Sequence, residues 1–101
     1  KREGQKMYKA EISSNQSSQE NTIELLNERI QNFQYTIIPE VYGSGINTKK
    51  FGDTVWPEMN FVMFAYVEEN EALLIKETIE ELKKRFPREG ISVFFTKSED
   101  L

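Results

Sequence analysis

Phe61-Val62-Met63-Phe64-Ala65-Tyr66-Val67 is apolar at every position, and how it is read decides the fold. A short run of this kind, bounded by polar residues, reads as a strand buried on both faces. On its C-terminal side the period changes. Ala72, Ile75, Ile79, Leu82 and Phe86 recur at steps of three and four, which predicts an amphipathic helix over roughly residues 70–85. The acidic cluster Glu68-Glu69-Asn70-Glu71 suits its start, where the helix dipole is positive. Lys76 with Glu80, Glu80 with Lys84, and Glu81 with Arg85 are spaced as charge pairs on its surface. Pro87 stops the helix, and Arg88-Glu89-Gly90 turns the chain into a last strand over residues 91–95.

On the N-terminal side, residues 42–60 form a connection far longer than the 2–5 residues usual for a hairpin. It leads back to a strand over residues 35–42. There Tyr35, Ile37 and Val41 face one way, and Thr36, Ile38 and Tyr42 the other. Pro39 interrupts that strand. Proline has no N–H for a ladder, so the strand is expected at a sheet edge or with a bulge. Further back, Ile23, Leu26, Ile30 and Phe33 mark a first helix that exits at Asn32 or Gln34, with Ser17 and Glu20 at capping-box spacing. Residues 7–12 alternate as a half-buried strand, with Tyr8, Ala10 and Ile12 on one side.

The order is β-α-β-β-α-β. Short right-handed crossovers convert it into an α+β, ferredoxin-like sandwich: a four-stranded antiparallel sheet with both helices on one face. The second and fourth strands are then the edges. One such domain accounts for residues 1–101, with 1–6 an extension and 96–101 a polar tail. With both helices on one face, the other should be polar, yet the third strand is apolar both ways. Phe94 beside Phe95 and Ile37 beside Ile38 repeat the effect. An open apolar face of that extent predicts a homo-oligomer, most simply a cyclic one, that buries it, with a dimer or a partner domain outside this chain as the alternative.

Composition narrows the chemistry. The chain has neither cysteine nor histidine, which excludes disulfides, thiolate nucleophiles, imidazole bases and zinc sites of the usual kind. No convergent pair of Asp, Glu or Lys replaces them, so an enzyme is not expected, nor is a metal site. With 13 basic against 17 acidic residues and a net charge of −4, no nucleic-acid partner is expected. No apolar stretch approaches the ~20 residues that span a bilayer. No secretion signal is visible, so membrane insertion is not expected and the cytoplasm is the expected location.

Three of the five glycines, adjacent lysines and the one tryptophan fall in the 42–60 connection, where a small rigid domain carries function. Gly43, Ser44 and Gly45 can form an anion-binding nest of backbone N–H groups, or simply let a strand become a loop. Lys49 and Lys50 can pair with an anionic ligand or stay solvated. Trp56 can anchor a partner or fold back on the loop. Arg85 and Arg88 flank the helix stop as anion contacts or as cations favoured at a helix C-terminus.

The chain resembles the P-II signal-protein superfamily, small trimeric ferredoxin-like regulators related to the CutA proteins. The resemblance spans residues 7–95. It rests on the element order, on Glu40-Val41-Tyr42-Gly43-Ser44-Gly45 with the loop after it, and on the Arg88-Glu89-Gly90 turn. It implies a trimer that binds nucleotides or other small anions in intersubunit clefts. In that family the clefts lie between the long loop and the neighbour's turn, and the loop signals to a regulated partner. By position it assigns Gly43, Ser44, Gly45 and Gly90 to the cleft. Ile46 and Ile91 stand where nucleotide-binding members carry basic residues. A ligand-free or CutA-like metal-linked oligomer is the alternative.

Overall fold

In the computed structural model, described over residues 6–43 and 58–99, four strands form one antiparallel sheet. β1 is Met7–Asn15, α1 Gln19–Arg29, β2 Thr36–Gly43, β3 Glu58–Glu68, α2 Glu69–Arg85 and β4 Ser92–Ser98; a 3-10 turn, Gln16–Ser18, joins β1 to α1. The sheet order is β2-β3-β1-β4. This is the ferredoxin-like arrangement, with β2 and β4 as edges.

The core follows from the two-residue period of the strands. Ala10 and Ile12 of β1, and Phe61, Met63, Ala65 and Val67 of β3, meet Leu25 and Leu26 of α1 and Ile75, Ile79 and Leu82 of α2 in one buried cluster. Ile30 and Phe33 complete it from beyond the end of α1. The Phe33 ring stacks on Tyr35 with 5.4 Å between centroids.

Pro39 sits on the edge strand and beside a bulge. Ile38 pairs with Val62, but Val41 pairs with Asn60, so β2 has one residue more than β3 between the two pairs. One extra residue reverses which face later side chains take. Val41 therefore joins the face of Asn60, opposite to Ile37, which corrects the expectation that the two share a side.

Other boundaries also differ from expectation. β4 runs on to Ser98, so residues 96–98, expected in the tail, are strand. α1 ends at Arg29, where Ile30 is extended, and Asn32 takes a positive φ of 54°. The Ser17–Glu20 capping box does not form. Ser17 lies in the 3-10 turn, and its N–H donates to Asn15 Oδ1 across 2.9 Å. At α2 the Glu68 N–H donates back to Glu71 Oε1 across 3.0 Å, as the acidic start suggested. Of the three spaced charge pairs, Glu81 with Arg85 closes.

Among the described residues, β3 is not buried on both faces. Phe61, Met63, Ala65 and Val67 are covered by the helices, whereas Val62 and Phe64 are half-buried and Tyr66 is 58% exposed. The register continues this second face across the sheet. Thr36, Phe64, Glu11 and Phe94 lie in one row, and Ile38, Val62, Ser13 and Ser92 in the next. Phe94 is 71% exposed and Ile38 44%. On β1 the Lys9 ammonium lies 5.0 Å from the Phe64 ring centre and 3.6 Å from the Glu11 carboxylate.

The one-sided core makes Met63 costly to truncate. Met63→Ala should lower the unfolding free energy by about 2–5 kcal/mol, and Thr36→Ala, on an exposed edge position, by less than about 0.5 kcal/mol. Urea denaturation at one fixed protein concentration checks both.

Candidate functional site

The candidate residues that fall in the described part of the chain gather at one end of the sheet. There β1, β3 and β2 finish in a row of Asn15, Asn60 and Val41, and β2 continues to Gly43 opposite Glu58. Gly43 is closely approached by the Asn60 side chain, which would have to move to admit a larger residue. A Cβ built on it would lie 2.0 Å from Asn60 Nδ2 and 3.2 Å from Asn60 Cγ. Ser44, Gly45, Lys49, Lys50 and Trp56 lie outside the described residues.

At the same end, on the opposite edge, α2 gives way to the turn before β4. Phe86 N–H still closes onto Leu82 O at 2.8 Å. Pro87 then takes the second position of a turn closed by Glu89 N–H to Phe86 O, at 3.2 Å. Gly90 has φ +66°, the left-handed region that glycine enters at no steric cost. The turn is pinned to β1, because Asn15 N–H donates to Glu89 O across 3.0 Å. Arg88 and Gly90 are exposed.

Gly43 and Gly90 thus share an end of the sheet but not an edge. Three interstrand steps of roughly 4.8 Å separate their strands. A single chain does not bring the loop root and the turn together.

The two arginines differ. Arg29 Nη2 donates to Glu81 Oε1 across 2.7 Å, and Arg85 donates to Glu81 Oε2. Glu81 therefore holds Arg85 on the surface of α2. The hydrogen bond from Arg29, helped by the charges of Arg29 and Arg85, keeps the Glu81 carboxyl below the usual carboxylate range against a smaller effect of burial. Arg88 has no ion-pair partner among the described residues.

Clefts among the described residues flank both sheet ends. One of ≈ 440 Å³ opens along Gln16, Ser17, Gln19, Glu20 and Ile23, beside the loop root. At the far end, one of ≈ 250 Å³ lies between residues 31–34 and Tyr66, Val67 and Glu71, and one of ≈ 290 Å³ lies along Met7, Tyr66, Ser98 and Glu99. Gly43, Arg85, Arg88 and Gly90 line none of these. Sequence reasoning missed Asn60 as the neighbour of Gly43, and it missed a buried hydroxyl cluster of Ser14, Ser18 and Thr22 beneath the turn. Continuing the alternation Ala10, Ile12 by one step would have placed Ser14 inward.

Two measurements follow from this geometry. Gly90→Ala should cost about 1–2 kcal/mol from the left-handed backbone alone, since nothing lies within 4 Å of the new methyl. Gly90→Asn should cost less, because asparagine tolerates that region. The depressed carboxyl of Glu81 stabilises the fold above the usual carboxylate range, and that contribution fades as pH falls through it. Glu81→Gln should therefore lower Tm slightly near pH 7, by a deficit that shrinks as pH falls through and below the usual carboxylate range.

No protein-family model matches the chain, and no curated protein matches it in sequence. Solved structures match it in fold. CPII, a nitrogen regulatory PII-like protein from Thiomonas intermedia K12 solved with ADP, AMP and bicarbonate, superposes with a TM-score of 0.67 at 19% identity, over 95% of this chain and 97% of that one. GlnK from B. subtilis in complex with ATP gives 0.69 at 17% identity, over 92% and 82%. A candidate PII-like signalling protein from Thermus thermophilus gives 0.64 at 18%, over 92% and 87%. The chain has the fold of the PII-like signalling proteins.

Proposed function

We propose that this chain is an oligomeric regulatory module, a trimer in the cytoplasm, which binds a small anion in clefts between copies. It signals to a protein partner through the 42–60 loop. The observation that carries this reading is the placement of the loop root and the Gly90 turn at one end of the sheet on opposite edges. Copies packed through the uncovered face of Ile38, Val62, Phe64, Tyr66 and Phe94 bring one copy's turn toward another's loop root. That face supplies the hydrophobic drive, since contiguous apolar patches on a sheet seldom stay in water.

The ligand chemistry is argued from donors. Gly43, Ser44 and Gly45 offer backbone N–H groups at the loop root, with Lys49 and Lys50 further along. Arg88 and the Gly90 turn face them from the neighbouring copy, and Arg85 joins them only on leaving Glu81. The fold relatives carry ADP, AMP, ATP and bicarbonate, all small anions. The arrangement supports binding and sensing rather than catalysis.

One observation favours a second reading. Ile91, at the position of a basic residue in nucleotide-binding members, is buried in the core with 4% exposure and offers the turn no cation. A ligand-free or CutA-like metal-linked oligomer fits that position equally well. Trp56 would then pack within the assembly.

Native mass spectrometry should show a trimer, and Phe64→Glu on the open face should give monomers. Calorimetric titration with ATP, ADP, AMP and bicarbonate should show binding to the trimer, which Arg88→Ala weakens about tenfold, as expected for losing a charge-assisted contact of about 1.5 kcal/mol. A monomeric parent protein would sink the reading. A trimer silent to all four ligands would select the ligand-free alternative.

A further inference from the structure

The connection between β1 and α1 touches both sides of the sheet end. Asn15 N–H holds Glu89 O of the turn, and Gln16 Nε2 donates to Pro39 O in the β2 bulge across 2.7 Å. Asn15 Oδ1, accepting Ser17 N–H, shapes the 3-10 turn from which the Gln16 side chain reaches Pro39. A few residues thus bridge the turn on one edge and the β2 bulge on the other.

Beneath this bridge lies a buried pair of hydroxyls with more contacts than protons. Ser14 Oγ is 2.5 Å from Ser18 Oγ and 3.3 Å from Glu89 O, and Ser18 Oγ is 3.1 Å from Asn15 O. Each hydroxyl donates one proton, so two protons serve three contacts. In one arrangement Ser14 donates to Glu89 O and Ser18 donates to Ser14. In the other Ser14 donates to Ser18, and Ser18 donates to Asn15 O. Both leave each hydroxyl bonded, which a buried polar group requires. The first grips the turn; the second grips the bridge.

We infer that the Ser14–Ser18 pair is a two-position hydrogen-bond relay that couples the 87–90 turn to the β2 bulge through Asn15 and Gln16. A discrete two-state element biased from both ends is what physical coupling between sites needs. The relay belongs to the chain itself, and it holds or fails whatever the sheet end binds.

The two arrangements can be locked. Ser14→Ala leaves Ser18 on Asn15 O, and Ser18→Ala leaves Ser14 on Glu89 O. In ¹⁵N-labelled protein without ligand, the Gln16 side-chain amide and the Glu40 and Val41 backbone amides should shift in opposite directions in the two variants. Gln16→Ala, a half-buried change outside the core, should speed amide exchange at Asn15 and Glu89 several-fold. Unchanged exchange at Met63 and Ala65 reports an intact fold. Shifts in the same direction, or none at Gln16, overturn the relay; so does Gln16→Ala leaving Asn15 and Glu89 unaffected.

Discussion

Both helices lie on one face of the sheet, and the rest of the molecule answers to that constraint. Strand side chains alternate, so only one parity enters the core: Ala10, Ile12 and Ser14 on β1, and Phe61, Met63, Ala65 and Val67 on β3. The other parity is apolar as well, through Val62, Phe64, Tyr66 and Phe94, and no described element of the chain covers it. Hydrophobic burial is non-directional. The force that closes the core therefore acts equally on the open face, where a second copy can satisfy it. Lys9 and Glu11 sit in the middle of that face as a paired charge, the polar stripe of an otherwise apolar surface.

The same constraint places the candidate site. Central strands β1 and β3 are rigid because each has two neighbours, so variable chemistry falls to the ends and edges. The bulge at Pro39 reverses the parity of β2 just before the long connection, turning Val41 to the open face. Across the sheet, Pro87 and Gly90 shape a turn whose carbonyl at Glu89 is tied to the last residue of β1. Hydrogen bonds through Asn15, Gln16 and the buried serines then join two edges that the sheet itself keeps apart.

Much of this was legible in the residues. The periods of Ile75, Ile79 and Leu82 and of Phe61 to Val67 named their elements correctly, and the missing N–H of Pro39 called for an edge or a bulge, of which the strand has both. What failed locally was the capping role of Ser17, the exit of α1 and the end of β4; the facing of Val41 and the second-face burial of β3 failed as well. Ser17 and Glu20 have the spacing of a capping box, but the nearer Asn15 carboxamide captured the Ser17 N–H, and spacing alone does not say which acceptor arrives. The extension of β4 to Ser98 comes from ladder bonds to β1, reaching as far as Met7. Those bonds depend on a partner strand at the other end of the chain rather than on the polar side chains of Thr96, Lys97 and Ser98.

By itself the sequence determined the element order, the edge strands, the apolar excess on the sheet, and the exclusion of histidine and cysteine chemistry. Each is a property of local pattern or composition. Only the tertiary structure decided that the Asn60 side chain closely approaches Gly43, that Glu81 also takes Arg29 from the other helix, and that Ile91 points into the core. It alone also decided that the loop root and the Gly90 turn occupy opposite edges of one sheet end. Those facts are distances between residues far apart in the chain, and register, bulge and helix placement set them together.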